Sequence, residues 1–311
     1  MKLREADRVE IIALVDNHID IFLDSTAKIK RPTLIKNGIS TDTPLAEHGL
    51  SLLIRVFNAQ EKYTILMDAG WSKSAILHNR ELFELDFAEI DAVVLSHGHM
   101  DHFGGLEEVL KLIPKNTPLI LHPGAFSLRG FTLLDGKHIN TPTLNKQAII
   151  ASGINLVTTT KPSLIAGNMI STTGEILRIN DFEKGTLNVW KQTANNIEHD
   201  TIADDQGVII NLKNKGLIVI SGCAHSGIIN MINQAKRISG IDKIYGVFGG
   251  LHLCKETPKG IINKTIAELE KLNLEIIVPM HCVGWSALNK IAHAMPKAFV
   301  LNSVGTKYIL D

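Results

Sequence analysis

The stretch Ser96-His97-Gly98-His99-Met100-Asp101-His102-Phe103-Gly104-Gly105 constrains this chain more than any other. It follows an apolar run at 91–95 that reads as a buried strand, and it precedes a helical pattern at 106–113 closed by Pro114. Four strong ligand types therefore sit within six positions at the end of a strand. In an extended turn His97 and His99 point the same way, with Gly98 free to bend between them. Asp101 and His102 fall at the helix entry, where they can face a second ion. Imidazole with carboxylate suits Zn²⁺, Mn²⁺ or Fe, so a pair of divalent cations is expected, with zinc favoured. A metal-free surface cluster fits poorly with a loop that ends a buried strand.

The rest of the chain must build a frame for that loop. Its 311 residues suffice for one large α/β domain or two modest ones. No repeat, low-complexity tract or Pro/Ser linker divides it, so residues 1–311 are read as a single domain. A hydrophobic content of 45% with 21% charged residues excludes disorder, and zero net charge gives no basic footprint for nucleic acid. No apolar run nears the roughly 20 residues of a membrane span. The basic and acidic N-terminus around 9–15 is not a signal peptide. Cys223, Cys254 and Cys282 make an odd set that cannot form an even disulfide framework, which points to a reducing, cytoplasmic setting.

Periodicity gives a strand at 9–15 and a loop-like stretch to Gly49. A hairpin at 50–57 and 62–67 follows, then a helix at 73–85. Strand 118–121 is followed by an irregular stretch at 122–146, a helix at 144–151 and a strand at 154–158. Residues 160–206 are polar and turn-rich, and read as long loops. The second half repeats the logic: a hairpin at 207–212 and 217–220, helix 226–238, strand 243–248, helix 258–272, strand 275–279 and helix 285–294. Short strands at 298–301 and 306–310 end the chain. Hairpins opening each half, then strand–helix alternation, suit an α/β class of fold: two mixed sheets face to face with helices outside, a four-layer αββα sandwich.

His97-x-His99-x-Asp101-His102 resembles the signature of the metallo-β-lactamase superfamily. Asp68, in Leu66-Met67-Asp68-Ala69-Gly70, resembles its Asp-x-Gly element, and His281 its C-terminal metal ligand. The superfamily's fold is the same αββα sandwich. Ala46-Glu47-His48-Gly49-Leu50-Ser51, Ser221-Gly222-Cys223-Ala224-His225-Ser226-Gly227, Gly249-Gly250-Leu251-His252-Leu253 and His281-Cys282 resemble one branch. That branch is the 7,8-dihydropterin-6-yl-methyl-4-(β-D-ribofuranosyl)aminobenzene 5′-phosphate synthase-like proteins.

Four ligands do not fill two sites, since each ion needs at least three protein ligands and an open position. His281 ends a strand as the first loop does, and is the fifth expected ligand. His225, just after the 217–220 strand and at the start of a helix, is the sixth. Here the chain departs from the wider superfamily. No Gly-His-Thr-type histidine lies near 195–206, where only His199, Asp200, Asp204 and Asp205 offer candidates. Cys223 stands where a metal-bridging Asp is expected. It is read as a small buried thiol beside the ligands, with direct contact to an ion as the alternative. Asp68 is expected to orient a ligand imidazole, as Asp16 and Asn17 also could. His252 is expected to face the substrate in acid/base work, sharing proton transfer with Asp101. His48 is expected to line the cleft. Arg129 either clamps a phosphate bidentately or lies in solvent. Cys254 and Cys282, one residue from site histidines along a strand, are expected on the opposite face as packing residues. His18, His78, His138 and His293 read as surface or packing, and His122 stays open.

The expected chemistry is hydrolysis of a small phosphoester or ester by a metal-bound hydroxide. Two alternatives stand beside it. One is the pterin-linked condensation that the branch resemblance implies; the other is an iron-dependent redox enzyme or metal sensor on the same fold. The expected partner is a small molecule, not nucleic acid or a membrane.

Overall fold

The structure is a computed structural model that describes residues 2–186, 188–194, 196–255 and 257–311. Two mixed sheets face each other. The first, of eight strands, is built around the antiparallel neighbours Arg8–Val15, Ser51–Asn58 and Glu61–Met67. It continues in parallel through Ala92–Val94, Pro118–Leu121 and Asn155–Thr158, and Lys307–Leu310 lies antiparallel on the other side of Arg8–Val15. The second, of seven strands, runs from Leu164–Ile165 and Ile170–Thr172 through the hairpin Gly207–Leu212 and Gly216–Ser221. It ends in the parallel strands Ile244–Gly250 and Ile276–Met280.

Strand alternation sorts the side chains into three cores. Val9, Ile11, Leu52, Ile54, Ile65 and Val94 meet Val208, Ile210, Ile218, Ile220, Phe248 and Val278 between the sheets. On the outer face of the first sheet, Ile12, Leu14, Leu53, Leu66 and Val93 pack under the helices Lys73–Leu82, Leu106–Leu112 and Lys146–Ala151. On the outer face of the second, Ile209, Val219, Val247 and Ile277 pack under Ile228–Ser239, Lys259–Lys271 and Trp285–Ala294. Both faces of each sheet are dry, so the strands read as near-continuous apolar runs. The result is the αββα sandwich expected from the sequence.

Two expectations change. The polar stretch 160–206 is not all loop. It contributes Leu164–Ile165 and Ile170–Thr172 to the second sheet. Val189–Gln192 and Ile197–His199 join Arg129–Thr132 and His138–Asn140, from the supposedly irregular stretch 122–146, in a four-stranded antiparallel sheet. All are two to four residues long, and His138–Asn140 and Ile197–His199 are largely exposed, so they are too short for the apolar alternation that a sequence reading relies on. At the C-terminus, the expected strand 298–301 reduces to an isolated bridge from Phe299 to Ile277.

Candidate metal centre

Every expected ligand arrives at the C-terminal end of a strand. Asp68 follows Glu61–Met67, the histidine loop follows Ala92–Val94, Cys223 and His225 follow Gly216–Ser221, His252 follows Ile244–Gly250, and His281 follows Ile276–Met280. At that rim the backbone leaves extended geometry. Asp68, Ala224, His252 and His281 all have positive φ, at 62°, 54°, 46° and 53°. Non-glycine residues rarely hold this conformation, and such strain clusters at functional sites.

The sheets interlock around the histidine loop. A Cβ on Gly98 would lie 2.2 Å from the Ala125 carbonyl oxygen, so it is close approach that demands glycine there. A Cβ on Gly222 would strike Ser96 Oγ at 2.1 Å. Gly98 N–H donates to Asp204 Oδ2 at 2.7 Å, and Gln206 N–H donates to the Ser96 carbonyl at 3.0 Å.

Two sets of buried donors result. In the first, ligand atoms of His97, Cys223 and His225 lie within 4.8 Å of one another. His97 Nε2 is 3.2 Å from His225 Nε2 and 2.9 Å from His99 Nδ1. In the second, His102, Cys223 and His281 group in the same way. Asp101 Oδ2 stands 3.1 Å from His281 Nε2 and 3.9 Å from His102 Nε2. Ring nitrogens converging at a largely buried centre that opens at the His48 edge fit divalent cations of the zinc type. The six expected ligands therefore come together, three histidines toward one position and Asp101, His102 and His281 toward the other.

The outer nitrogens are held. His102 Nδ1 donates to Asp68 Oδ2 at 2.6 Å, and Asp68 also accepts from Ser96 N–H and Oγ–H at 2.7 Å each. His281 Nδ1 meets Asn17 Oδ1 at 3.2 Å, and the His281 N–H donates to Asp16 Oδ1 at 2.8 Å. Thr186 Oγ1 is 3.3 Å from His225 Nδ1. These contacts leave the inner Nε2 atoms for an ion.

Electrostatics divides the residues. Burial holds His99 down at about 4, and pushes His97 and His225 well below the usual histidine value. Burial would lower His102 too, but the carboxylates of Asp68 and Asp101 carry it up to about 9. For Asp101 burial is likewise outweighed. The His102 charge and the His281 hydrogen bond hold its carboxyl well below the usual range. Burial opposes protonation of His252, yet the hydrogen bond and charge of Cys282 raise it above its ordinary value.

Two expectations, on Arg129 and Cys282, are corrected. Arg129 neither clamps a phosphate nor lies in solvent. Its guanidinium is buried, with Nη1 and Nη2 on Asp204 at 3.1 and 2.8 Å and Nε 3.3 Å from Asp200. Cys223 is a buried thiol beside the expected ligands, its Sγ grouped with both donor sets and 3.2 Å from His102 Nε2, an arrangement open to either of the two roles named for it. Cys282 is not on the opposite face. The positive φ of His281 breaks strand alternation, and the Cys282 sulfur joins Cys223 and His252 in one group.

His48 stands at the open edge, 60% exposed, with Nε2 3.6 Å from Asp101 Oδ2 and its ring 4.7 Å from that of His281. The His252 ring lies 4.2 Å from that of His225, and its Nδ1 is buried without a hydrogen-bond partner. Both border the cleft. A pocket of about 250 Å³ opens beside His225 and His252, walled by Phe182, Leu251, Pro258 and Ile261. A larger cleft of about 400 Å³ between the 30–36 segment and Leu82–Leu85 touches none of these histidines. Ser96, Asn17, Thr186 and Asp204 were not assigned these positioning roles by sequence, apart from Asn17 as one candidate. Hydroxyls and amides carry no ligand signature.

Comparison with known proteins agrees with this geometry. A sequence model described as the metallo-beta-lactamase superfamily matches residues 46–179. A 7,8-dihydropterin-6-methyl-4-(beta-D-ribofuranosyl)-aminobenzene-5′-phosphate synthase of Methanocaldococcus jannaschii is 35% identical over 279 residues, 87% of this chain and 93% of that protein. An uncharacterised protein of the same organism, MJ0448, is 31% identical over 84% of this chain and 92% of its own length. Among solved structures, Tm1679, titled a metal-dependent hydrolase of the beta-lactamase superfamily, superposes with a TM-score of 0.72 at 22% identity, covering 97% of this chain and 98% of that one. A diphosphatase of the PhnP family gives 0.51 at 11% identity over 97% of each chain. At those identities the two structures speak for the fold alone. Fold, donor sets and sequence likeness over most of the length converge: the chain belongs to the metallo-beta-lactamase superfamily.

Proposed function

We propose that this chain is a cytoplasmic, metal-dependent synthase of the pterin-linked kind, working as one domain over residues 1–311. In this reading the amine of ribofuranosylaminobenzene 5′-phosphate bonds to the 6-methylene carbon of a dihydropterin diphosphate as that carbon's bond to oxygen breaks, releasing diphosphate and the amine proton. The observation that carries the reading is the mostly apolar pocket directly beside His225 and His252, in a chain that is 35% identical to such a synthase over 87% of its length. At about 250 Å³ the pocket suits one flat ring system, not a whole two-part substrate. The second part then lies along the open edge at His48 and Trp71, whose rings are 6.2 Å apart.

His97, His99 and His225 would hold one cation, and Asp101, His102 and His281 the other. Such a pair polarises phosphoryl oxygens and lowers the pKa of a water from about 15.7 to near 7. Asp101, held ionised, serves as an ion ligand and not as a proton carrier. Proton transfer falls to His252, which borders the pocket with its ring 4.2 Å from that of His225 and whose pKa the neighbouring Cys282 raises. None of the three cysteines forms a disulfide, as a reducing compartment requires. No described helix is long and apolar enough to cross a membrane.

Hydrolysis of a small phosphoester or ester is the second reading, favoured by the exposure of His48, which leaves water a path to the centre. The deciding assay supplies zinc- or manganese-loaded protein with the two pterin-pathway substrates, and separately with a panel of phosphodiesters and lactones. Condensed product with no panel turnover supports the synthase. Turnover on the panel with no condensation overturns it. Tightly bound iron with oxygen uptake overturns both readings.

A further inference from the structure

Cys223 is the one residue among those described whose ligand atom belongs to both buried histidine sets, His97 with His225 and His102 with His281. Among the described residues, neither Asp68, Asp204 nor Asp205 belongs to a donor set; Asp68 and Asp204 are bonded through both oxygens, and Asp205 only through Oδ2, its Oδ1 being buried without a hydrogen-bond partner. Asp204 holds Arg129 and the Gly98 N–H, Asp205 Oδ2 accepts from Ser226 N–H and Oγ–H, and Asp68 is taken by Ser96 and His102. Asp101 reaches only the His102 and His281 side and the rim at His48.

Packing fixes the sulfur in that place. Cys223 follows the central strand Gly216–Ser221, and Ser221 Oγ ties that strand end to the Gly250 carbonyl at 2.6 Å. Gly222 abuts Ser96, and the left-handed Ala224 turns the chain so that His225 comes back to His97. Cys282 and His252 share a group with Cys223 alone, so they flank the sulfur and close neither set.

We propose that Cys223 bridges the two cations through its sulfur, so that the pair is thiolate-linked and discriminates in favour of softer, zinc-like ions over manganese. This rests on the two-cation reading above. A compact sulfur bridge keeps one negative charge between the ions, as a carboxylate would, but with a donor that hard cations bind poorly.

Cadmium-113 NMR of the full chain, stripped of metal and reloaded with cadmium, tests it. Wild-type protein is expected to show two resonances, both displaced toward sulfur-ligated positions. Cys223→Asp is expected to move both back, and Cys282→Ser to move neither. A parallel competition assay should show the preference for zinc over manganese narrowing in Cys223→Asp. Displacement of only one wild-type resonance makes the cysteine a terminal ligand and overturns the bridge. Two undisplaced resonances, or displacement lost in Cys282→Ser, overturn it as well. Because the wild-type spectrum alone carries the result, a variant that fails to fold does not blunt the test. Wild-type protein that retains fewer than two cadmium ions by elemental analysis overturns the two-cation reading itself, and is distinguishable from the other outcomes.

Discussion

A histidine serves an ion through one nitrogen only when something holds the other. His102 shows this plainly: Asp68 takes Nδ1 at 2.6 Å, which fixes the tautomer and aims Nε2 at the centre. Asp68→Asn should therefore lower metal affinity by about 10–100-fold with the fold intact, read by competition with a chelator. Unchanged affinity would mean packing alone holds the ring. His97→Ala and Asp101→Ala should each abolish activity and lower metal content, and retention of full metal in both would refute the site. His225→Ala should lose metal, whereas His252→Ala should lose rate and keep metal. The reverse pattern would reassign the sixth ligand. The candidate ligands were legible because imidazole and carboxylate clusters carry their chemistry in their residue type. Arg129 was misread because the partner that neutralises it, Asp204, lies 75 positions away.

At the scale of the element, the histidine loop is a strand end pinned from two sides. Asp204 receives the Gly98 N–H and is clamped by Arg129, which rises from the small antiparallel sheet. Removing one partner of a buried pair costs about 3–5 kcal/mol, because the other is left charged and unpaired. For Asp204→Ala the lower end is expected, since Asp200 still stands 3.3 Å from Arg129 Nε. Denaturant melts would read this, and a loss under about 1 kcal/mol would show the clamp to be dispensable. Burial raises the Asp204 carboxyl, but Arg129 outweighs it and the net shift is downward. The stabilisation is then full above the unfolded Asp value near about 3.9 and is lost as pH falls toward the folded value. Asp204→Asn should flatten that acid limb of the stability curve. The small sheet that supplies Arg129 escaped the sequence reading because its strands are too short to show alternation between water and a core.

On the scale of the whole molecule, the centre joins the two halves of the sandwich. His97, His99, Asp101 and His102 come from the first sheet; Cys223, His225 and His281 come from the second. The inter-sheet core is dry and extensive, so the chain should stay folded without metal. Binding should still raise its stability, by about 4 kcal/mol at a free metal concentration a thousandfold above Kd. Thermal melts with and without a chelator should show a metal-dependent Tm and unchanged secondary structure. Collapse to an unfolded chain on chelation would make the ions structural.

The amino-acid order by itself determined the αββα layering and six metal-ligand candidates, because hydrophobic period and residue chemistry are both local properties. It also determined that those ligands end strands, since each follows an apolar run. What only the tertiary structure decided is which donor atoms lie close enough together to share an ion. Cys223 reaching both donor sets, Cys282 turned inward by the left-handed His281, and Arg129 consumed by Asp204 all depend on packing between segments far apart in sequence. A side chain's type names the bonds it can make. Its partner is chosen by burial, where an unpaired charge is too costly to leave and the nearest complementary group must take it.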